Sequence, residues 1–245
     1  MGIAGGKGLQ ESTRKPIPDP VSRDVDLNAK AKYQRMQNFM LSYEQRLAGE
    51  PAWALREGSG HFGGASSVHQ ALGKITRRLE ELGVPYVIAG GMALFFHGYR
   101  RFTEDVDIVV TAEGLRRLHE HLEGLGYLPL FPGSRGLRDV ENGVRIEFLV
   151  TGEFPGDGKP KPVAFPAPED AAIETAGLRI LGLAKLVELK LASATAPGRR
   201  KDLGDVQELI KLLRLPAEFA ARLHPSVREQ YRELWVEAQP SAPPA

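Results

Sequence analysis

Apolar residues recur along this chain at two alternating spacings, and the alternation predicts its elements. Tyr33, Met36, Phe39, Met40 and Tyr43 stand three or four apart, which predicts a helix over 27–48. The stretch 50–64 is rich in Gly and Pro and is expected to be irregular. Val68, Leu72, Ile75, Leu79 and Leu82 then make one helical stripe. Ser67 and Gln70 read as a capping box before it, and Gly83 as its left-handed stop. Strands are expected at 85–89, 106–110, 127–131, 144–150 and 178–181, each short and mostly apolar. A brief helix at 92–97 ends at Gly98, and an amphipathic one at 115–125 ends at Gly126. Asn142-Gly143 predicts a type I′ hairpin turn, because both central residues of that turn need φ > 0. Residues 152–168 carry loop composition, and helices follow at 183–194, 202–215, 217–223 and 226–238, with Asp202 as an N-cap.

This order predicts an α/β (α+β) chain with a mixed sheet flanked by helices. The expected division is a tail and helical appendage over 1–64, a core over 65–175, a helical part over 176–238 and a disordered tail over 239–245. No internal repeat is visible.

Composition narrows the function classes. The chain has 245 residues, 42% hydrophobic and 26% charged, as ordinary globular domains do. A formal net charge of +1 gives no global field toward nucleic acid or an acidic membrane, so any such site is a local patch. There is no cysteine, which excludes disulfides and thiolate zinc sites and fits a cytoplasmic protein. No apolar run approaches the ~20 residues that cross a bilayer, and residues 1–20 lack the apolar centre of a secretory signal. No membrane partner is expected.

The candidate chemistry lies between Gly90 and Val110. Gly90-Gly91 follows the apolar run Val87-Ile88-Ala89, and such a turn lets backbone N–H groups approach a phosphate closely. Asp105 and Asp107 stand two apart, so on a strand both point away from Val106, Ile108 and Val110. By the same parity Glu147 opposes Ile146 and Phe148. If the two strands are neighbours, three carboxylates share one polar face. Such a cluster needs a cation, and magnesium with oxygen ligands is the usual one beside phosphates. Arg100 and Arg101 lie between the glycines and the carboxylates, as phosphate contacts or as surface charges. His97 reads as a loop-orienting side chain, and His119 and His121 as a poor metal pair. Lys190 interrupts an apolar helix, either snorkelling outward or pointing into a polar cleft. Arg199-Arg200-Lys201 is a solvated loop or a nucleic-acid contact.

The pattern Gly-Gly-x-Ala-x-x-x-His-Gly-x-x-Arg-x-Thr-x-Asp-x-Asp from Gly90 to Asp107 resembles the minimal nucleotidyltransferases of the DNA polymerase beta superfamily. It is most similar to the bacterial branch grouped with AbiEii-type toxins, and the likeness extends over about 67–215. The resemblance implies a nucleotidyltransferase-type fold and a magnesium-dependent transferase. It would move an NMP from an NTP to a hydroxyl on RNA (tRNA or other), protein or a small molecule. It implies Gly90, Gly91, Arg101 and Lys190 as nucleotide or phosphate contacts. Asp105, Asp107 and Glu147 would be catalytic residues and ligands of two Mg2+ ions, for which Mn2+ can substitute. A cognate antitoxin is the partner such a toxin would have. Two positions depart from the family pattern: Met92 stands where many members have a phosphate-binding Ser or Thr, and Glu147 where Asp is usual. They motivate the alternative of a catalytically inactive nucleotide-binding or partner-binding module on the same fold.

Overall fold

The computed structural model describes residues 41–239. Most of the helix expected over 27–48 lies outside them, as do the expected tails at 1–26 and beyond 239; the described part of that helix is α1 (Tyr43–Gly49). Next comes α2 (Pro51–Phe62), where irregular chain was expected. Pro51 sits in the first turn, where its fixed φ favours a helix, and Ala52-Trp53-Ala54-Leu55-Arg56-Glu57 continues it. The Gly/Pro density is thus punctuation at the ends of a helix. α2 in turn starts α3 (Ser67–Glu81). The Glu57 carboxylate accepts hydrogen bonds from Ser67 N at 2.9 Å and Ser67 Oγ at 3.0 Å. The expected capping box at Ser67 and Gln70 is therefore replaced by a carboxylate from another helix.

The sheet contains β1 (Tyr86–Ile88), β2 (Asp105–Val110), β3 (Tyr127–Pro129), β4 (Leu137–Asp139), β5 (Arg145–Val150), β6 (Ala172–Thr175) and β7 (Leu178–Leu181). Their order is β3-β4-β5-β2-β1-β7-β6. Neighbours β2/β5 and β1/β7 run parallel and the rest antiparallel, so the sheet is mixed. The β6–β7 hairpin carries it across residue 176, past the boundary expected there, because Ala172-Ile173-Glu174-Thr175 is a strand the pattern did not reveal.

Helices cover both faces. α4 (Gly90–Phe96) connects β1 toward β2, and α5 (Ala112–Leu122) follows β2. α6 (Pro168–Ala171) leads into β6. On one face Val106, Ile108, Ile146 and Phe148 pack against α3 residues such as Leu72 and Ile75, and Tyr43 joins them. On the other, Val87, Val109 and Leu181 meet α7 (Leu183–Ala194) and α8 (Lys201–Leu213). Two 3-10 turns, Ala217–Arg222 and Pro225–Val227, lead to α9 (Arg228–Ala238). No helix among the described residues is long and apolar enough to cross a membrane.

The turns correct one expectation. At Asn142-Gly143 only Gly143 takes a positive φ, +69°, so the turn is not type I′. Instead Gly143 N donates to Asp139 O at 2.8 Å, closing a wider loop. Asp139, fully buried, accepts from the Asn142 side-chain amide and from Lys74, and that carboxylate draws the loop inward. The two-residue turn with two positive φ values lies in the β6–β7 hairpin, at Ala176 (+52°) and Gly177 (+75°). Alanine is a poor fit to the left-handed region, whereas asparagine visits it readily. Ala176→Asn, at an exposed site, is expected to stabilise the chain by about 0.5–1 kcal/mol, raising the melting temperature by roughly 1–4 °C. A thermal melt checks it, and an unchanged midpoint would refute it.

Candidate active site

The cleft lies where the carboxyl ends of β1 and β7 meet the amino end of β2. β2 and β5 are neighbours, and their register sets Asp105 beside Arg145 and Asp107 beside Glu147. The expected convergence of three carboxylates on one polar face therefore takes the form of two rungs, with a guanidinium in one of them. Arg145 Nη2 donates to Asp105 Oδ2 at 2.9 Å, and its Nε lies 3.4 Å from Glu147 Oε1. The other oxygen of Asp105 accepts from Thr103 Oγ1 at 2.8 Å. Among the described residues no three His, Cys, Asp or Glu side chains are gathered as closely as a preformed metal site requires. The donor set is nonetheless of the right chemistry: hard carboxylate oxygens in a partly open cleft fit a divalent cation such as magnesium.

Asp107 is held differently from Asp105. No protein group among the described residues donates a hydrogen bond to it, and only part of its surface stays open to solvent. Burial, then the charge of Asp105, push its carboxyl up to about 7, against a smaller opposing pull from Lys190. Burial also raises Glu147, with Arg145 acting the other way.

The glycine turn abuts these carboxylates. Gly90 has φ +55°, and a Cβ there would stand 1.8 Å from Asp107 Oδ2. A Cβ on Gly91 would stand 2.6 Å from Thr103 Oγ1. No side chain fits at either position while Asp107 and Thr103 keep their places. The first N–H groups of α4 have no partner within the helix, and Gly90, at its first position, lies against Asp107. With seven residues α4 adds little dipole, so the contribution is local N–H donation. Met92 is wholly buried in the core, so the position after the second glycine presents no hydroxyl.

Gly90, Gly91, Arg101, Asp105, Asp107 and Lys190 all line this one cleft. Glu147 stands beside Asp107 in the sheet and is not among its walls. The two cations assigned to phosphate are both held by carboxylates. Arg101 grips Asp205 with two bonds, 2.7 and 3.0 Å, and Lys190 donates to Asp202 at 2.9 Å and Asp205 at 2.6 Å. Ser193 Oγ donates to Asp202 at 2.8 Å. Burial pushes Asp202 up, but Lys190 and the bonds it receives outweigh that and hold it below the usual range. Asp202 is therefore a buried counter-ion, and the N-cap of α8 is Arg200. Its pairing was legible in principle: Asp202 and Asp205 stand three apart on one face of a helix, opposite the lysine that breaks the apolar run of α7.

Other candidates have structural roles. His97 Nε2 donates to Leu181 O at 2.7 Å, joining α4 to β7. Arg100 lies over the Phe95 ring and donates to Phe62 O. Arg199 and Lys201 reach the cleft rim, while Arg200 is exposed.

Behind the loop that carries Thr103 lies a histidine pair that sequence reasoning missed. His61 Nε2 donates to Arg101 O at 2.9 Å, and the His61 and His69 rings are 5.1 Å apart among Phe62, Phe95 and Phe102. Among the described residues His61 Nδ1 and His69 Nε2 are buried without a hydrogen-bond partner. Burial lowers His61, and burial followed by the charge of His61 lowers His69 to about 4. A histidine whose folded pKa lies below its unfolded value of about 6.5 favours the fold while neutral. That contribution is intact above pH 6.5 and is lost as pH falls from 6.5 toward 4. The melting temperature is expected to drop across that window, and His69→Gln to drop less. An equal drop in both proteins would refute the assignment.

No protein-family model matches this chain, and no curated protein matches it. Its likeness is to solved structures. The antibiotic-resistance factor ANT(2'')-Ia in its solution structure is 18% identical, aligned over 68% of this chain and 94% of its own length with a TM-score of 0.46. The crystal structure of ANT(2'')-Ia in complex with adenylyl-2''-tobramycin gives 16%, 69%, 96% and 0.43. A candidate nucleotidyltransferase from H. pylori gives 20%, 69%, 80% and 0.37. Likeness of this degree leaves the chemistry to be read from the residues.

Proposed function

We propose that this chain is a magnesium-dependent nucleotidyltransferase that moves an NMP from an NTP to a hydroxyl acceptor. The observation that carries the reading is the contact between the two halves of the cleft. A glycine turn whose first N–H groups have no partner within the helix closes directly on Asp107, leaving room for no side chain between them. Phosphate oxygens held by Gly90 and Gly91 would then lie against carboxylates able to hold the accompanying cation. Asp105 and Asp107 would hold magnesium, with Glu147 beside them. Bound magnesium would neutralise phosphate charge and make an attacking hydroxyl more acidic. Glu147, raised by burial and standing beside Asp107 in the sheet, would be the group to accept that hydroxyl's proton on turning toward the cleft. RNA, protein and small molecules remain the acceptor classes, and the toxin half of a toxin–antitoxin pair is the biological role that fits the family resemblance.

Buried Met92 favours a second reading, a module that binds nucleotide without transferring it. One experiment separates the two. The protein is incubated with each labelled NTP, Mg2+ or Mn2+, and total RNA and protein extract, and calorimetry with the same nucleotides runs alongside. Transfer of label supports the transferase. Binding without transfer supports the module, and absence of binding to all four nucleotides overturns both.

A further inference from the structure

The strand that carries Glu147 also carries, two residues earlier on the same face, a permanent cation. The register puts Arg145 beside Asp105, one rung from the Asp107/Glu147 pair. Its guanidinium bridges the rungs, 2.9 Å from Asp105 and 3.4 Å from Glu147. With Thr103 donating to the remaining oxygen, both oxygens of Asp105 are engaged by protein. Arg145 Nε is buried and, among the described residues, makes no hydrogen bond and is anchored only by the ion pair with Glu147. Arg145 is therefore held at one strong point and one weak one. Asp105 and Glu147 thus share one counter-charge, and among the described residues no ligand cage is formed.

We infer that Arg145 is a built-in counter-ion that competes with the divalent cation for Asp105 and Glu147, and so sets how tightly the cleft takes up metal before nucleotide arrives. This rests on the nucleotidyltransferase reading of the site. A divalent ion must take an oxygen of Asp105 from the guanidinium, and like-charge repulsion then favours the release of Arg145. In the metal-free protein the same residue offsets part of the repulsion among the three carboxylates. Arg145 is thus a positioning residue, acting on the reaction only through the carboxylates it holds.

The test is a titration of the full chain with Mn2+ in the absence of nucleotide, followed by electron paramagnetic resonance and calorimetry. Wild type is compared with Arg145→Met, Arg145→Lys and the Asp105→Asn/Asp107→Asn double variant, each checked for folding by circular dichroism. Arg145→Met is expected to bind Mn2+ roughly tenfold tighter, the scale of two partly exposed ion pairs. Arg145→Lys is expected to fall between, since it keeps the charge without the fork that spans both rungs. Folded Arg145→Met with unchanged or weaker affinity overturns the inference while leaving the site reading intact. If Arg145→Met does not fold, a lysine variant that binds no tighter than wild type overturns it. Binding that survives in the double variant, or is absent from every protein, overturns the site reading and the inference with it.

Discussion

Exchanging Asp105 and Asp107 together for alanine is expected to reduce transfer of label from NTP by at least roughly 10^3-fold, to background. Both side chains point into the cleft beside the glycine turn, and neither anchors the fold. Asp105 is tied only to Thr103 and Arg145, and Asp107 to no donor among the described residues. The double variant is therefore expected to fold and to melt no lower than wild type. Asp107 sharpens the point. Its carboxyl is raised to about 7, so ionising it costs the fold increasingly as pH climbs from the unfolded value near 4 to about 7, and the cost levels off above that. Asp107→Asn removes that cost and is expected to raise the melting temperature at pH 8 more than at pH 4. A fold that tolerates an unfavourable buried charge at a cleft, and gains when it is removed, shows the usual opposition of stability and activity. Undiminished labelling in the double variant would sink the mechanism. A large loss of stability would instead make the two aspartates structural.

Asp205→Ala is expected to cost about 3–5 kcal/mol of folding stability, because it takes one of two carboxylates from buried Lys190 and the two-bond partner from half-buried Arg101. Asp205 is 4% exposed and serves Arg101 and Lys190 at once. Its loss leaves Lys190, itself 6% exposed, with Asp202 alone, and Arg101 without its two-bond partner. The network links α7, α8 and the loop before β2, so the damage spreads to the wall of the cleft. A melting temperature lower by roughly 6–20 °C is the expected result for a domain of this size. Lys190→Met on the same background separates pairing from packing. The double variant should lose clearly less than the two single losses added together. Additive losses would mean that the two residues contribute independently.

Much of the fold was legible because its period is strong. The alternation of 106–110 and 144–150 placed carboxylates on one face and core residues on the other, and the β2–β5 register realises that parity. α3, α7 and α8 likewise follow their apolar stripes. The failures share a cause, which is that the deciding partner lay far away in sequence. Glu57 caps α3 from another helix, Lys74 and buried Asp139 reshape the Asn142-Gly143 turn, and Lys190 draws Asp202 from the helix cap into the interior. β6 eluded the pattern because Ala172-Ile173-Glu174-Thr175 is an edge strand with little burial to imprint a period. In the site, residue types and parity pointed to Asp105, Asp107, Glu147 and the glycines. The engagement of Arg101 and Lys190 by aspartates and the bridge made by Arg145 depend on three-dimensional neighbours.

The parallel pairing of β2 with β5 has an evolutionary consequence. Its two rungs carry the chemistry on one face and the interior on the other, so the site tolerates change in length very unequally. The exposed stretch 157–160 can gain or lose residues without disturbing either rung. One residue inserted between Asp105 and Asp107 would turn a carboxylate inward to where Val106 or Ile108 now packs, and the chain would lose its interior together with its chemistry. Diversity in proteins built this way is expected to accumulate in the loops and the covering helices, with the paired strands inherited as a single unit.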